Sequence, residues 1–161
     1  EPMLRLFNQG MILGEDNEKM SKSRGNVVAP DDLVARYGAD VIRAYLMFIG
    51  PWELGGPWNS KGIEGVARFM NEVWGLVVDD ATQTAGLSPS DKATRDLRRA
   101  VHQTIRDVTG DIEVFKFNTV VAKLMALRNT LKGARSAGLH GTAAWNEGLD
   151  STLSLHDALP I

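Results

Sequence analysis

Two lysines and two serines lie within one five-residue stretch, Lys19-Met20-Ser21-Lys22-Ser23, which Arg24 and Gly25 follow. Ammonium and hydroxyl groups at this density can surround a polyphosphate with charged and hydrogen-bonding contacts. Gly25 gives the backbone the freedom to bend around such a ligand. The alternative interpretation is a solvated basic loop, which is the more common meaning of a short lysine- and serine-rich run.

The five residues 19–23 are identical to the signature loop of class I aminoacyl-tRNA synthetases, and the resemblance extends beyond them. The pattern continues through Arg24-Gly25-Asn26-Val27-Val28, Pro30-Asp31-Asp32-Leu33, Tyr37-Gly38-Ala39-Asp40 and Arg43. Leucyl-tRNA synthetases carry similar residues at Gln9–Gly14, Arg43–Phe48, Gly50-Pro51, Gly65–Trp74, Phe117-Asn118-Thr119 and Leu124-Met125. Isoleucyl- and valyl-tRNA synthetases, which stay open as alternatives, usually have leucine where this chain has Arg24. The resemblance covers residues 3–149.

Membership of this family implies ATP-dependent attachment of leucine to tRNA(Leu), with Mg²⁺ accompanying the ATP. It implies that Lys22 and Lys19 contact the phosphates and are catalytic, that Ser21 and Ser23 support the loop, and that Met20 anchors it. The residues that bind adenine and leucine are expected elsewhere in a longer, monomeric, cytoplasmic enzyme. This chain is therefore expected to be an inactive fragment on its own. A non-catalytic helical RNA-binding module is the alternative from another functional class.

The fold is predicted to be mainly α-helical, with one short β-hairpin. Residues Met11–Met20 predict the hairpin, which leads into the loop: residues 11–13 are a β-prone run, 14–17 are turn residues and 18–20 return. Pro30 with Asp31 and Asp32 predicts a helix that ends at Gly38, and a second helix follows. Residues 50–62 predict a loop.

Three longer amphipathic helices are expected after this loop, and their apolar stripes predict a helix bundle. The stripes are Ile63, Val66, Ala67, Met70, Val73, Trp74 and Val77; then Leu97, Val101, Ile105, Val108 and Ile112; then Phe117, Val120, Val121, Leu124, Leu127 and Leu131. Ser88-Pro89-Ser90-Asp91 predicts the capped start of the middle helix. The resemblance assigns residues 1–30 to the end of a catalytic domain, 31–60 to a helical connecting domain and 61–150 to an incomplete anticodon-binding bundle.

A basic stripe on the middle helix is the candidate tRNA contact: Arg95, Arg98, Arg99, His102 and Arg106. The alternative interpretation is the solvated face that any amphipathic helix needs. Trp74 is predicted to lie in the core, and Trp52 and Trp58 to pack between domains rather than stack on bases. The three histidines have no ligand-like spacing, so no metal site is predicted.

Composition restricts the chain's partners only weakly. The chain has 18 basic and 20 acidic residues, so an RNA partner requires a local positive patch. It has no cysteine, which excludes disulfides and thiolate metal sites, and no apolar run is long enough to cross a membrane. Residues 151–161 do not resemble the family's continuation beyond Asp150, so they are expected to be a non-native tail. Because they also share no pattern with the preceding helices, they are expected to make no core contact and to be dispensable for stability.

Overall fold

The computed structural model describes residue 2, residues 4–80 and residues 90–159. Two short strands, β1 (Ile12–Leu13) and β2 (Gly56–Pro57), lie before the bundle. A short 3₁₀ helix occupies Lys22–Arg24. The α-helices in the described part of the chain are α1 (Pro30–Tyr37), α2 (Ala39–Phe48), α3 (Ser60–Asp80), α4 (Asp91–Glu113), α5 (Phe117–Ser136) and α6 (Ala143–Asp157). The predicted mainly helical fold is confirmed. None of the described helices is long and apolar enough to span a membrane.

The two predicted helices after the loop form at the expected residues. Pro30 occupies the first turn of α1 with Asp31 and Asp32, where the helix dipole favours carboxylates. Gly38, at φ 85°, separates α1 from α2 because a residue with a Cβ is strained there. One apolar cluster then joins α2 to the start of α3, and its buried members include Ala44, Tyr45, Trp58, Ile63 and Val66.

The predicted hairpin forms only in part. One antiparallel bridge joins Leu13 to Lys19, but β1 takes β2 as its main partner, in a parallel pairing. The two backbones approach so closely that a Cβ on Gly10 would lie 2.1 Å from the nitrogen of Gly55. The loop predicted at residues 50–62 therefore contains a strand and the first turn of α3.

The three predicted bundle helices are present, and their stripes form most of the core. Side chains from α4 and α5, among them Val101, Val108, Val120 and Leu131, are completely buried. Two details differ from prediction. Trp74 is 71% exposed instead of buried, because it lies at the edge of the stripe. Helix α4 is capped by Ser90, whose side chain accepts from the nitrogen of Ala93, while Ser88 and Pro89 lie outside the described residues.

A fourth bundle helix, α6, was not predicted from the sequence. Trp145 on α6 is completely buried, and a Cβ on Gly148 would lie 2.8 Å from a methyl carbon of Leu131. The helix continues without a break through Ser151, and Thr152 and Leu155 are buried beyond that point. The expectation that residues 151–161 make no core contact is therefore wrong. Their non-native origin stays a prediction.

Candidate functional site

The lysine-rich loop has a defined local conformation. After Ser21, residues 22–24 make one 3₁₀ turn, and the N–H of Gly25 donates to the carbonyl oxygen of Lys22 at 3.3 Å. Gly25 closes the turn at φ 69°, a left-handed conformation that glycine adopts without strain. The hydroxyl oxygens of Ser21 and Ser23 lie 2.8 Å apart. The two serines therefore bond each other across the turn, and their supporting role stays a prediction.

Both candidate lysines extend into solvent. Lys19 and Lys22 are exposed, and in the described part of the chain neither takes part in a recorded ion pair. The neighbouring Arg24, in contrast, contacts Glu18 at 3.2 Å. The ammonium groups of both lysines can therefore be offered to an anionic ligand without first breaking a protein contact.

Met20 faces the opposite way and is partly buried. It packs on the apolar cluster of α2 and α3, beside Ile12, Val28 and Leu33. This contact attaches the middle of the loop to the underlying fold. The anchoring role of Met20 in the reaction stays a prediction.

Two carboxylates before the loop, Glu15 and Asp16, hold its base, and no motif in the sequence marks them as functional. An oxygen of Glu15 accepts the backbone N–H of Ser60 at 3.0 Å, and hydrogen bonds from Ser60 lower the pKa of Glu15. Asp16 accepts the backbone N–H of Glu18 at 3.1 Å, and this bond is the largest cause of its lowered pKa. Glu15 connects the turn to the start of α3, which lies 45 residues away.

The candidate tRNA-binding arginines on α4 are exposed, as predicted, but most of them contact carboxylates. Arg98 lies 3.0 Å from Glu147 on α6, and His102 lies 2.9 Å from the same carboxylate. Arg99 contacts Asp96 at 3.9 Å and Arg106 contacts Asp107 at 2.8 Å, while Arg95 is exposed. These pairs reduce the positive potential of the stripe.

The remaining tryptophans serve packing. Trp58 is 6% exposed and packs edge-on against Tyr45, with ring centroids 5.0 Å apart. Trp52 is half-buried against Phe115 and Phe117. Both positions agree with the predicted packing role. No group of three or more histidine, aspartate or glutamate side chains among the described residues is arranged to hold a metal ion.

Comparison with known proteins places this loop and these helices in one class. Residues 1–52 match the family of class I tRNA synthetases (I, L, M and V). The leucine–tRNA ligase of Deinococcus radiodurans is 50% identical over 151 residues, which make up 93% of this chain. The leucine–tRNA ligase of Herpetosiphon aurantiacus is 50% identical over 155 residues, or 96% of this chain. The chain spans 18% of the length of each of these relatives.

Comparison of the fold with solved structures indicates the same class of protein. A crystal structure of the ternary complex of Agrobacterium radiobacter LeuRS, tRNA and LeuAMS matches 97% of this chain and 21% of that one. The TM-score is 0.83 and the sequence identity is 27%. The loop and the helical fold are thus those of a class I tRNA synthetase. Within that class, the chain is homologous to a segment of the leucine–tRNA ligases.

Proposed function

We propose that this chain is the part of an ATP-dependent leucine–tRNA ligase that contacts the ATP phosphates and part of the tRNA. One observation carries the proposal: a loop with two exposed, unengaged lysines is fixed at its base by Met20 and by hydrogen bonds. The homology to leucine–tRNA ligases supplies the reaction in which such a loop would act.

In that reaction a carboxylate oxygen of leucine attacks the α-phosphorus of ATP. The bond from that phosphorus to the bridging oxygen breaks, which gives leucyl-adenylate and releases pyrophosphate. Negative charge grows on the departing pyrophosphate, so a lysine that reaches it in the transition state lowers the barrier as well as aiding binding. We assign this role to Lys22 first and to Lys19 second. Mg²⁺ would share the neutralisation of the phosphates, held mainly by the phosphates themselves.

The helical part is proposed to contact tRNA(Leu) through phosphates. The structural relative with bound tRNA matches 97% of this chain, which supports this assignment. The arginines of α4 are the candidate contacts. Because most of them also contact carboxylates, the binding should be weak and should decrease as salt rises.

Replacement of Lys22 tests the catalytic proposal. In the full-length protein that carries this segment, Lys22→Ala is expected to slow leucyl-adenylate formation about 10²- to 10³-fold, the usual cost of one lost transition-state contact. Leucine affinity should change little. The matched control is Lys92→Ala, which removes an exposed lysine from the start of α4. Rapid-quench measurement of adenylate formation gives both rates.

An unchanged rate in Lys22→Ala would remove this residue from the chemistry. The same assay with isoleucine or valine in place of leucine decides between the leucine enzyme and its two relatives. A protein that activates none of the three amino acids would leave only the non-catalytic RNA-binding alternative.

A further inference from the structure

The amide of Asn26 lies at the centre of a hydrogen-bond network that spans the base of the loop. Its Oδ1 accepts the backbone N–H of Ser21 at 2.8 Å. Its Nδ2 donates to the carboxylate of Asp16, at 3.0 and 3.2 Å, and to the carbonyl oxygen of Lys19 at 3.3 Å. One side chain thus holds the residue before Met20 and the residue after it.

Asp16 fixes which way this amide faces. A carboxylate can only accept hydrogen bonds, so it takes the NH₂ group of Asn26 and leaves the amide oxygen for Ser21. The backbone N–H of Glu18 holds Asp16 in turn, at 3.1 Å. The orientation of Asn26 therefore follows from the chemistry of its neighbours.

Gly14 provides the space for this pair. A Cβ at residue 14 would lie 2.6 Å from Oδ1 of Asp16 and 3.0 Å from Nδ2 of Asn26. Even alanine at this position would force the Asp16 carboxylate to shift and would crowd the Asn26 amide. The absence of a side chain at Gly14 is a second, independent feature that fits the network.

We propose that Asn26, oriented by Asp16, is a positioning residue that fixes the backbone of the lysine-bearing loop for adenylate formation. It contacts no reacting atom. Its hydrogen bonds hold the chain immediately beside Lys19 and just before Lys22, so they set where both ammonium groups emerge. This inference rests on the proposed function, since the reaction it serves is the one proposed for Lys22.

The geometry is tested first in the 161-residue chain itself. Asn26→Ala should accelerate hydrogen exchange of the Ser21 amide about 10-fold or more, since the bond that protects it is lost. Gly14→Ala should do the same by displacing the pair. The matched controls are Asn129→Ala, an exposed residue of α5, and Gly65→Ala, where an added Cβ meets nothing within 4 Å. Equal exchange in the variants and their controls would overturn the network.

The positioning role is tested in the full-length protein. Asn26→Ala should lower the rate constant of adenylate formation about 10- to 100-fold, the range for losing a hydrogen bond to a charged group, with the KM for leucine unchanged. Asn26→Asp should be at least as slow, because two carboxylates would face each other. Combining it with Asp16→Asn restores a donor opposite an acceptor at this contact, while the bond to the Lys19 carbonyl oxygen stays lost, so the double variant should regain part of the rate.

Failure of this swap to restore any activity, or a defect confined to the KM for leucine, would overturn the positioning role. The proposed function fails separately, if the unmodified protein makes no leucyl-adenylate. In that case the exchange measurement on the 161-residue chain still decides whether the network exists.

Discussion

Truncating Leu155 on α6 should destabilise the chain, although the sequence suggested that residues 151–161 are dispensable. Leu155 is 9% exposed and belongs to the apolar cluster that contains Val108, Phe117 and Val120. Leu→Ala in a core costs about 2–5 kcal/mol through lost burial and the cavity left behind. Because Leu155 lies near the end of its helix, where neighbours can relax, we expect about 2–3 kcal/mol, toward the lower end of that range.

Urea and thermal denaturation followed by circular dichroism would measure this loss. For a chain of this size, it corresponds to a decrease in Tm of about 5–10 °C. The matched control is Leu153→Ala, the same substitution two residues earlier, where the side chain is 39% exposed. Its effect should stay within about 1 kcal/mol, close to the range for surface changes. A Leu155→Ala variant no less stable than the Leu153→Ala control would refute the packing of this segment.

Two further predictions concern charge. The Asp111 carboxylate contacts the Lys123 ammonium group at 2.5 Å. Burial alone would raise the pKa of Asp111, but hydrogen bonds from Lys123 and Thr119 outweigh burial, and the pKa is lowered. The ionised Asp111 carboxylate should contribute its full stabilisation of the fold above its unfolded-state pKa of about 3.9. That contribution should be lost as pH falls through the lower pKa of Asp111 in the folded state. The difference in unfolding free energy between the unmodified chain and Asp111→Asn should therefore shrink below about pH 4 in urea titrations. Replacing Arg98 and Arg99 together by alanine should make tRNA binding less sensitive to salt in filter-binding titrations. The slope of the log binding constant against the log salt concentration should become shallower by up to about 1.8. An unchanged slope would show that the arginines of α4 are only a solvated face.

Local sequence predicted most of the helices because their signals act over a few residues. Pro30 and Gly38 mark the two ends of α1 through their backbone preferences, and the apolar residues from Leu97 to Ile112 repeat with the helical period. Helix α6 escaped prediction because Ala144, Gly148 and Thr152 share its buried face with Trp145 and Leu149, so large apolar residues mark only part of that face. The small residues Ala144 and Gly148 let α6 pack closely against α4 and α5, and the spacing of residues along the sequence does not predict that contact.

The candidate site also has one part that the sequence predicted and one part that it did not. The run from Lys19 to Ser23 indicated phosphate chemistry from residue types alone, since ammonium and hydroxyl groups carry that property wherever they stand. Residue types alone did not predict which residues support the loop from beneath. Gly14, Asp16 and Asn26 meet only when the turn folds back, and Glu15 bonds a residue 45 positions away.

By itself, then, the sequence determined the class of chemistry, the family resemblance and the helical periods, because each depends on residue type and short spacing. Tertiary structure alone decided that β1 pairs with β2 and that Trp74 lies in solvent. It also decided that most of the arginines of α4 contact acidic partners and that α6 contributes to the core. These outcomes depend on which surfaces distant elements bring together, and that choice is made by the packing of the whole chain.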